Sequence, residues 1–358
     1  MKQDFDLERY LSDGIEAIVK DALKATLKSP KETAFLTKYA IAAKKTESRR
    51  HSLELVGEHI PSFLIASITE ECNLHCAGCY ARAHMHGGSD AHMSRSDWSR
   101  VFREASELGV AMILLAGGEP LMRRDVIEEA AEHPELMFPV FSNGTMMDAE
   151  YICLFDKRRN LIPVISIEGN ADQTDTRRGD GVYAQTVEVM RKLHEKGLLF
   201  GVSITVTTEN LMSVTEPAFC DHLRRTSCSV MFLVEYVPVE LRDLALSPEQ
   251  RETLQTRVEA LRERNDGMLL ISFPGDEQYS GGCLAAGRGF FHINATGGVE
   301  PCPFSPYSDT DLKNTSLRAA LRSPLFQKLL DEDILLQEHM GGCVLFEQAD
   351  TVKRLANS

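Results

Sequence analysis

The chain has 358 residues, of which 43% are hydrophobic and 26% charged, and its formal net charge is −14 at pH 7. These values are typical of a globular protein with one large core and a smaller second domain. The negative charge argues against binding to nucleic acid by the protein as a whole, and no apolar run is long enough to span a bilayer.

The N-terminus and the cysteine content indicate the cellular compartment. The segment "MKQDFDLERYL" is acidic and lacks the apolar stretch of a secretory signal, so we expect a cytoplasmic protein. In that compartment the nine cysteines are expected to be metal ligands or free thiols rather than disulfides.

Residues 1–57 are predicted to form an N-terminal helical extension. Residues 16–50 contain nine Lys or Arg and four Asp or Glu, and an apolar stripe is formed by Ile15, Val19, Leu23 and Leu27. One interpretation is a helical arm docked on the body of the protein. The other is an interfacial helix within residues 15–50 that makes peripheral contact with a membrane.

Between residues 58 and 265, short apolar strands alternate with amphipathic helices. The predicted strands are 62–68, 110–116, 137–142, 161–167, 200–206 and 229–237, and the helices lie near 94–108, 124–133, 148–156, 182–196, 210–225 and 248–264. Ser94, Asp148 and Ser247 are predicted to begin helices, and Gly109 and Gly197 to end them. Strands that are apolar on both faces predict a parallel sheet. Right-handed crossovers would curl it into a partial (β/α)6 TIM-like barrel, an α/β fold.

Chemistry in such barrels collects at the carboxyl ends of the strands. Marked segments follow four successive strands: "CNLHCAGCY" (72–80), "GGEP" (117–120), "SNGT" (142–145) and "SIEG" (166–169). Glu235 and Tyr236 end the sixth strand and are candidates for substrate contact or proton transfer, with a core or capping role as the alternative. Beyond residue 265 the pattern changes to short strands and Gly- and Pro-rich turns, which predicts a small C-terminal α+β domain over residues 266–358 with a hairpin.

Cys72, Cys76 and Cys79 have C-x3-C-x2-C spacing on the loop that leaves the first strand. Structural zinc takes four ligands, so a zinc site would need His75 or His84 as well. On a four-iron cluster, three thiolates leave one iron open to an exogenous ligand. The spacing therefore predicts a metal centre, and if that centre is a four-iron cluster, its open iron would bind a small molecule.

The motif "CNLHCAGCY" resembles the cluster motif of the radical SAM superfamily, and the resemblance extends over roughly residues 58–265. It implies a [4Fe-4S] cluster held by Cys72, Cys76 and Cys79, with S-adenosylmethionine (SAM) bound at the open iron. It also implies reductive cleavage of SAM to a 5′-deoxyadenosyl radical that abstracts hydrogen from a substrate. An electron donor such as ferredoxin or flavodoxin is expected as a partner.

The same resemblance assigns further residues to SAM. Gly117, Gly118 and Glu119 correspond to the segment beside the amino group, Ser142 and Asn143 to the methionyl or ribose part, Ser166 and Glu168 to the ribose hydroxyls, and Arg178 to the carboxylate, with Arg177 as its rival. Many members have an aromatic residue just before the third cysteine, where this chain has Gly78. Tyr80 is expected to take its place beside the adenine.

A second cysteine set lies near the C-terminus. "GGCLAAGRGFFHINATGGVEPCPF" resembles the SPASM or twitch extension, which implies one auxiliary [4Fe-4S] cluster held by Cys283, Cys302 and Cys343. Its fourth iron would be free or held by Cys220, Cys228, His292 or a substrate atom. The other interpretation is that these cysteines are buried apolar residues, which is also the prediction for Cys153.

The sequence thus predicts a radical SAM enzyme that acts on an unidentified peptide, tetrapyrrole or lipid. Two alternatives remain open at this point. One is a non-catalytic iron–sulfur or zinc scaffold or redox sensor, and the other is a radical SAM methyltransferase.

Overall fold

The computed structural model describes residues 30–84, 91–264, 267–336 and 341–357. Its strands are β1 Phe63–Ser67, β2 Met112–Ala116, β3 Phe138–Ser142, β4 Leu161–Ser166, β5 Gly201–Val206, β6 Val230–Glu235, β7 Leu269–Phe273, β8 His292–Ile293 and β9 Val299–Glu300. Its helices are α1 Pro30–Glu54, α2 Tyr80–Ala83, α3 Arg95–Leu108, α4 Arg124–Ala131, α5 Ala149–Lys157, α6 Ala171–Arg178, α7 Val182–Glu195, α8 Leu211–Val214, α9 Pro217–Arg225, α10 Pro248–Glu263, α11 Leu317–Ala320, α12 Pro324–Asp331, α13 Val344–Glu347 and α14 Ala349–Ala356.

All strands form one sheet in the order β7-β6-β5-β4-β3-β2-β1-β8-β9. In this order, every adjacent pair from β7–β6 through to β1–β8 is parallel, and the last pair, β8–β9, is antiparallel. Helices connect the successive parallel strands β1 to β7, as crossovers between parallel strands require. The predicted α/β fold with a partial barrel is confirmed.

Local signals place the helix ends where the sequence predicts them. The Ser94 and Ser247 side chains each form a capping box with the residue three positions later, and Asp148 accepts a hydrogen bond from the Tyr151 N–H at 2.8 Å. Gly109 ends α3 with a φ of 93°, a conformation that glycine adopts without a steric penalty.

Three features of the described chain differ from the predicted pattern. The strand β7 extends the parallel sheet beyond residue 265, where the sequence predicts that the pattern changes. The predicted helix at 210–225 is divided into α8 and α9, because Pro217 has no N–H to donate and disfavours helical geometry in the residue before it. The helix α6 follows β4 directly and is not predicted.

The helix α1 closes the amino end of the barrel. Its Tyr39 is buried with Met137 and Ile162, which lie where β3 and β4 begin. Its Glu32 forms a buried ion pair with Arg159, and its Arg49 donates to the Glu107 carbonyl at 2.7 Å near the end of α3. Residues 30–54 therefore form a helical arm that is docked on the barrel. The apolar stripe at 15–27 lies outside the described residues.

The hairpin of β8 and β9 joins the C-terminal segment to the barrel, and its presence confirms the predicted hairpin. Ile65 and Ala66 of β1 pair with His292 and Ile293. The His292 ring is buried between two side chains, with Nε2 at 2.8 Å from Ser67 Oγ and Nδ1 at 2.7 Å from Glu300 Oε2. In the part of the chain described, no helix combines the length and the apolar content that crossing a bilayer requires.

Candidate active site

A cavity of about 400 Å³ occupies the interior of the barrel. Leu36 of α1 lies at its closed end, and Cys72, Cys76 and Cys79 line its mouth. Between them the wall is largely apolar and consists of inward-facing strand residues such as Leu114, Phe141, Val164, Phe232 and Ile271. Such a cavity has the size and character of a site for a small organic molecule.

The cysteine loop is held against the barrel by hydrogen bonds at both ends. The Leu74 N–H points to the Cys72 sulfur at 3.4 Å, and the Asn143 amide nitrogen lies 3.9 Å from the same sulfur. The Ala77 N–H donates to the Arg177 carbonyl at 2.9 Å. The three thiols are half-buried, so the loop presents sulfur to the cavity without exposing it fully to water.

Burial and nearby cations act in opposite directions on these thiols. Burial raises the pKa of Cys72 and of Cys76, and at Cys76 the guanidinium groups of Arg178 and Arg177 oppose that shift. A cation beside a thiol favours the thiolate, which is the form that binds metal. The net direction at both cysteines is towards the neutral thiol, and the two arginines offset part of the cost of a thiolate at Cys76.

The two glycines of "GGEP" are needed because the backbone approaches the cysteine loop closely. A Cβ atom on Gly117 would collide with the Thr69 carbonyl, and one on Gly118 with the Glu71 carbonyl. The Gly118 N–H donates to the Thr69 carbonyl and the Glu119 N–H to the Glu71 carbonyl, each at 2.8 Å. Gly117 and Gly118 both line the cavity, so this turn forms part of the mouth.

Glu119 and Ser142 are fully buried and are not among the residues that line the cavity. Glu119 Oε1 accepts from the Leu121 N–H at 3.0 Å and from Ser142 Oγ at 2.9 Å, and Oε2 accepts from the Asn143 N–H at 2.8 Å. Burial raises the pKa of Glu119, and these hydrogen bonds oppose the shift. The carboxylate thus joins the ends of β2 and β3 and holds Asn143, which does line the cavity.

Glu168 connects two arginines at the end of β4. Its Oε1 accepts from Arg177 Nη1 and from Arg178 Nε, the latter at 2.8 Å, while Oε2 accepts from the Thr205 N–H at 3.0 Å. Ser166 and both arginines line the cavity, whereas Glu168 lies behind them. Arg177 Nε is buried and has no hydrogen-bond partner among the described residues.

The two tyrosines at the mouth contact different partners. Tyr80 packs edge-on against Phe304, with 4.9 Å between ring centroids, and burial raises its pKa. The Tyr236 hydroxyl accepts from the Leu241 N–H at 3.1 Å and faces Gly78, where a Cβ atom would lie 2.5 Å from it. Both rings line the cavity.

Glu235 is buried where β6 ends, and its carboxylate lines the cavity. Oε1 accepts from Arg251 Nε at 2.6 Å, and Oε2 accepts from the Gly342 N–H at 3.0 Å. The carboxylate is therefore bonded to the turn that precedes Cys343.

The second cysteine set is brought together by tertiary structure. Burial raises the pKa of Cys283 and of Cys302 well above the usual range and that of Cys343 to about 12, and the negative charge of Glu277 contributes at all three thiols. Burial also raises the pKa of Glu277 to about 7. No sequence motif marks Glu277, and the only signal for it is an acidic pair that ends six residues before Cys283.

The other candidate ligands lie elsewhere. Cys220 and Cys228 are buried in the barrel core, where the Cys228 thiol donates to the Val230 carbonyl at 3.3 Å. Cys153, predicted to be core, is exposed because Tyr151, Ile152 and Phe155 form the buried face of α5.

Among the residues that the structure describes, no three His, Cys, Asp or Glu side chains are placed to share a single metal ion. A four-iron cluster does not require its thiolates to converge on one ion, since each thiolate binds its own iron. Thiols at the mouth, two guanidinium groups and a buried arginine nitrogen without a partner fit a thiolate-bound cluster beside a carboxylate-bearing cofactor.

Comparison with known proteins identifies the class. Residues 66–215 match the family model of the Radical SAM superfamily. The PqqA peptide cyclase of Rhodopseudomonas palustris is 28% identical over 257 residues, which cover 68% of this chain and 67% of that protein. The AdoMet-dependent heme synthase of Methanosarcina barkeri is 24% identical over 315 residues, which cover 80% and 88%.

Solved structures share the fold. Streptococcus suis SuiB superposes with a TM-score of 0.66 at 15% identity, covering 93% of this chain and 85% of that one. The enzyme anSMEcpe with bound AdoMet gives 0.60 at 13% identity, covering 83% and 98%. The matched residues 66–215 therefore form a radical SAM domain. The protein is an enzyme, so the alternative of a non-catalytic scaffold or sensor is wrong.

Proposed function

We propose that Cys72, Cys76 and Cys79 hold the [4Fe-4S] cluster and that SAM binds at the cavity mouth, where the enzyme abstracts a hydrogen atom from an organic substrate. When bound, the cluster and SAM together supply a 5′-deoxyadenosyl radical. The observation that carries this proposal is a single cavity with three thiols at its mouth and an apolar wall behind them.

The chain's own residues bind and orient the cofactor in this proposal. Gly117, Gly118, Asn143 and Ser166 face the cavity beside the cysteine loop and present backbone and small polar groups. Arg178 supplies the cation for the SAM carboxylate, and Glu168 holds its guanidinium in place. Glu119 and Ser142 act behind the wall by fixing Asn143. Tyr80 and Tyr236 cover the mouth, where an aromatic face suits an adenine ring.

The wall of the cavity supports a substrate whose reacting part is apolar. Its strand residues expel water, which protects a radical from side reactions. Peptides are the substrates favoured by the comparisons, since one relative is named a PqqA peptide cyclase and a SuiB structure contains the precursor peptide SuiA. A tetrapyrrole is the second candidate, because another relative is named a heme synthase.

Cys283, Cys302 and Cys343 are proposed to hold an auxiliary [4Fe-4S] cluster. Their burial in one region and their mutual electrostatic influence support this assignment. The chain would then consist of an arm (residues 1–57), a radical SAM unit (58–265) and an auxiliary unit (266–358). The strand β7 belongs to the auxiliary unit by sequence but pairs with β6 of the radical SAM unit. Glu235 is proposed to position the Cys343 turn through the Gly342 N–H.

Two partners complete the proposal. A ferredoxin or flavodoxin would supply the electron. The basic residues of 15–50 support peripheral contact with an anionic membrane, although 30–50 are docked in α1. Flotation with anionic liposomes tests that contact, and equal unbound fractions for the full chain and a deletion of residues 1–29 would contradict it.

An anaerobic assay tests the central proposal. Protein reconstituted with iron and sulfide, reduced with dithionite and given SAM should form 5′-deoxyadenosine. Cys76→Ala should abolish the product, whereas Cys153→Ala, a change at an exposed cysteine of α5, should not. No 5′-deoxyadenosine from a reduced, cluster-containing sample would refute the proposal, and S-adenosylhomocysteine among the products would indicate methyl transfer instead.

A further inference from the structure

Glu277 lies beside the second cysteine set. It follows β7 on the short 3-10 segment Gly275–Ser280 and is only 2% exposed. Its Oε1 accepts from the Leu284 N–H at 3.0 Å, and its carboxylate is hydrogen-bonded to the Cys283 thiol. The carboxylate is thus fixed beside the first cysteine of the set.

The same carboxylate acts on all three cysteines. Its negative charge affects the thiols of Cys283, Cys302 and Cys343, which come from three separate segments of the chain. Glu277 also lines the cavity with Leu284, which is not true of any of the three cysteines. The carboxylate therefore lies between the thiols and the barrel interior.

The ligands considered from sequence are engaged elsewhere. Both ring nitrogens of His292 contact side chains of the sheet, Ser67 and Glu300. The neighbouring acid, Asp276, receives two hydrogen bonds from the Arg262 guanidinium, at 2.9 and 2.7 Å, and one from the Ser272 N–H. Asp276 is therefore held in a structural ion pair. Glu300, whose charge also acts on Cys302, is bonded to His292 and Asn294. The Glu277 carboxylate, in contrast, is bonded to the Cys283 thiol.

Burying a carboxylate beside thiols is unfavourable for the protein alone, because a charged carboxylate loses its hydration there. Buried acids are usually paired or bind a metal. A cationic iron atom at this position would favour the charged form of all four groups at once. The arrangement is unfavourable without iron and favourable with it.

We propose that Glu277 is the fourth protein ligand of the auxiliary cluster and binds, through a carboxylate oxygen, the iron that the three cysteines leave open. The inference rests on the proposed auxiliary cluster and deepens it. A cluster with four protein ligands has no iron free to bind substrate. Its role would be to exchange electrons beside the cavity, not to hold the substrate.

Spectroscopy on a protein with only the auxiliary cluster tests this ligand. The full chain carrying Cys72→Ala, Cys76→Ala and Cys79→Ala serves as the parent, to which Glu277→Gln or Glu277→Cys is added. With Glu277 present, the reduced cluster should keep about four irons and show an EPR spectrum that added imidazole does not change. Glu277→Gln should lose about one iron or give a spectrum that imidazole shifts. Glu277→Cys should restore the four-iron cluster.

Glu259→Gln is the matched control, since Glu259 also lies on this side of the barrel but contacts Tyr279 and Gln255 rather than a cysteine. It should leave the spectrum unchanged. If Glu277→Gln matches the parent in iron content, spectrum and indifference to imidazole, Glu277 is not a ligand. If the parent itself binds no cluster, the auxiliary cluster is refuted, and the ligand with it, while the SAM site is unaffected.

Discussion

The hydroxyl of Tyr236 occupies the space beside Gly78 that a side chain at position 78 would need. Gly78 lies between Cys76 and Cys79 and has a φ of +63°. An aromatic residue before the third cysteine would not fit here, because the ring of Tyr236, the residue after β6, already fills that place.

Gly78→Ala should therefore damage the first cluster. The left-handed conformation costs an alanine about 1–2 kcal/mol, and the methyl group would also collide with the Tyr236 ring. We expect reduced iron content and reduced 5′-deoxyadenosine formation. Gly57→Ala is the control, because Gly57 has a similar φ of +79° with nothing near the added carbon. Equal iron content in the two variants would contradict the proposed contact.

Glu119→Gln should destabilise the protein more than it weakens SAM binding. The amide would place an NH2 group against N–H and O–H donors, and one unsatisfied buried partner costs about 1–3 kcal/mol. Ser142→Ala removes one donor and should cost about 1 kcal/mol. Urea denaturation and SAM titration give the two quantities. Unchanged stability with a large loss of SAM affinity would instead indicate that Glu119 contacts the cofactor directly.

Arg178→Lys should weaken SAM binding about tenfold, which corresponds to about 1.4 kcal/mol. Lysine cannot reproduce the paired contacts that Arg178 makes to Glu168 through Nε and Nη2, at 2.8 and 2.6 Å. Arg177→Lys should have a smaller effect on SAM, because the proposal assigns the carboxylate to Arg178. Isothermal titration of the reconstituted variants measures both. A larger loss for Arg177→Lys would assign the carboxylate to Arg177.

Glu32→Gln should loosen α1 from the barrel. Its partner Arg159 is buried but also pairs with Asp156, so the cost should be below the value of about 3–5 kcal/mol that is typical when a buried charge loses its only partner. Lys31→Gln breaks the neighbouring exposed pair with Asp156 and should cost less than about 1 kcal/mol. Denaturation midpoints compare the two. Similar midpoints would show that the buried pair does not fix the helix.

Much of the barrel could be predicted from the sequence because its signals are local. Apolar runs predicted β1 to β6. Ser94 and Ser247 predicted where two helices begin, because each caps its helix through contacts with a residue only three positions away. The segment of β7 was predicted as a short strand of the C-terminal domain rather than as part of the barrel sheet. Its pairing with β6 is a tertiary contact, and the Gly- and Pro-rich segment after it is typical of an irregular domain.

The roles of buried acids could not be predicted in the same way. Glu119, Glu168 and Glu277 look alike in sequence, and their partners come from other strands or from residues several positions away. Whether such a side chain faces the cavity or stands behind its wall depends on how strand ends meet in space. The sequence indicates which segments meet at the carboxyl ends of the strands. It does not indicate which of their side chains line the cavity and which lie behind that lining.

The pairing of β8 with β1 has a consequence for biosynthesis. The outer edge of β1 has no strand partner until residues 292 and 293 have been made, more than 200 residues later. An unpaired strand edge can associate with other chains, and late, long-range pairing slows folding. A chain truncated near residue 265 should therefore form an incomplete barrel that aggregates, rather than a smaller active enzyme.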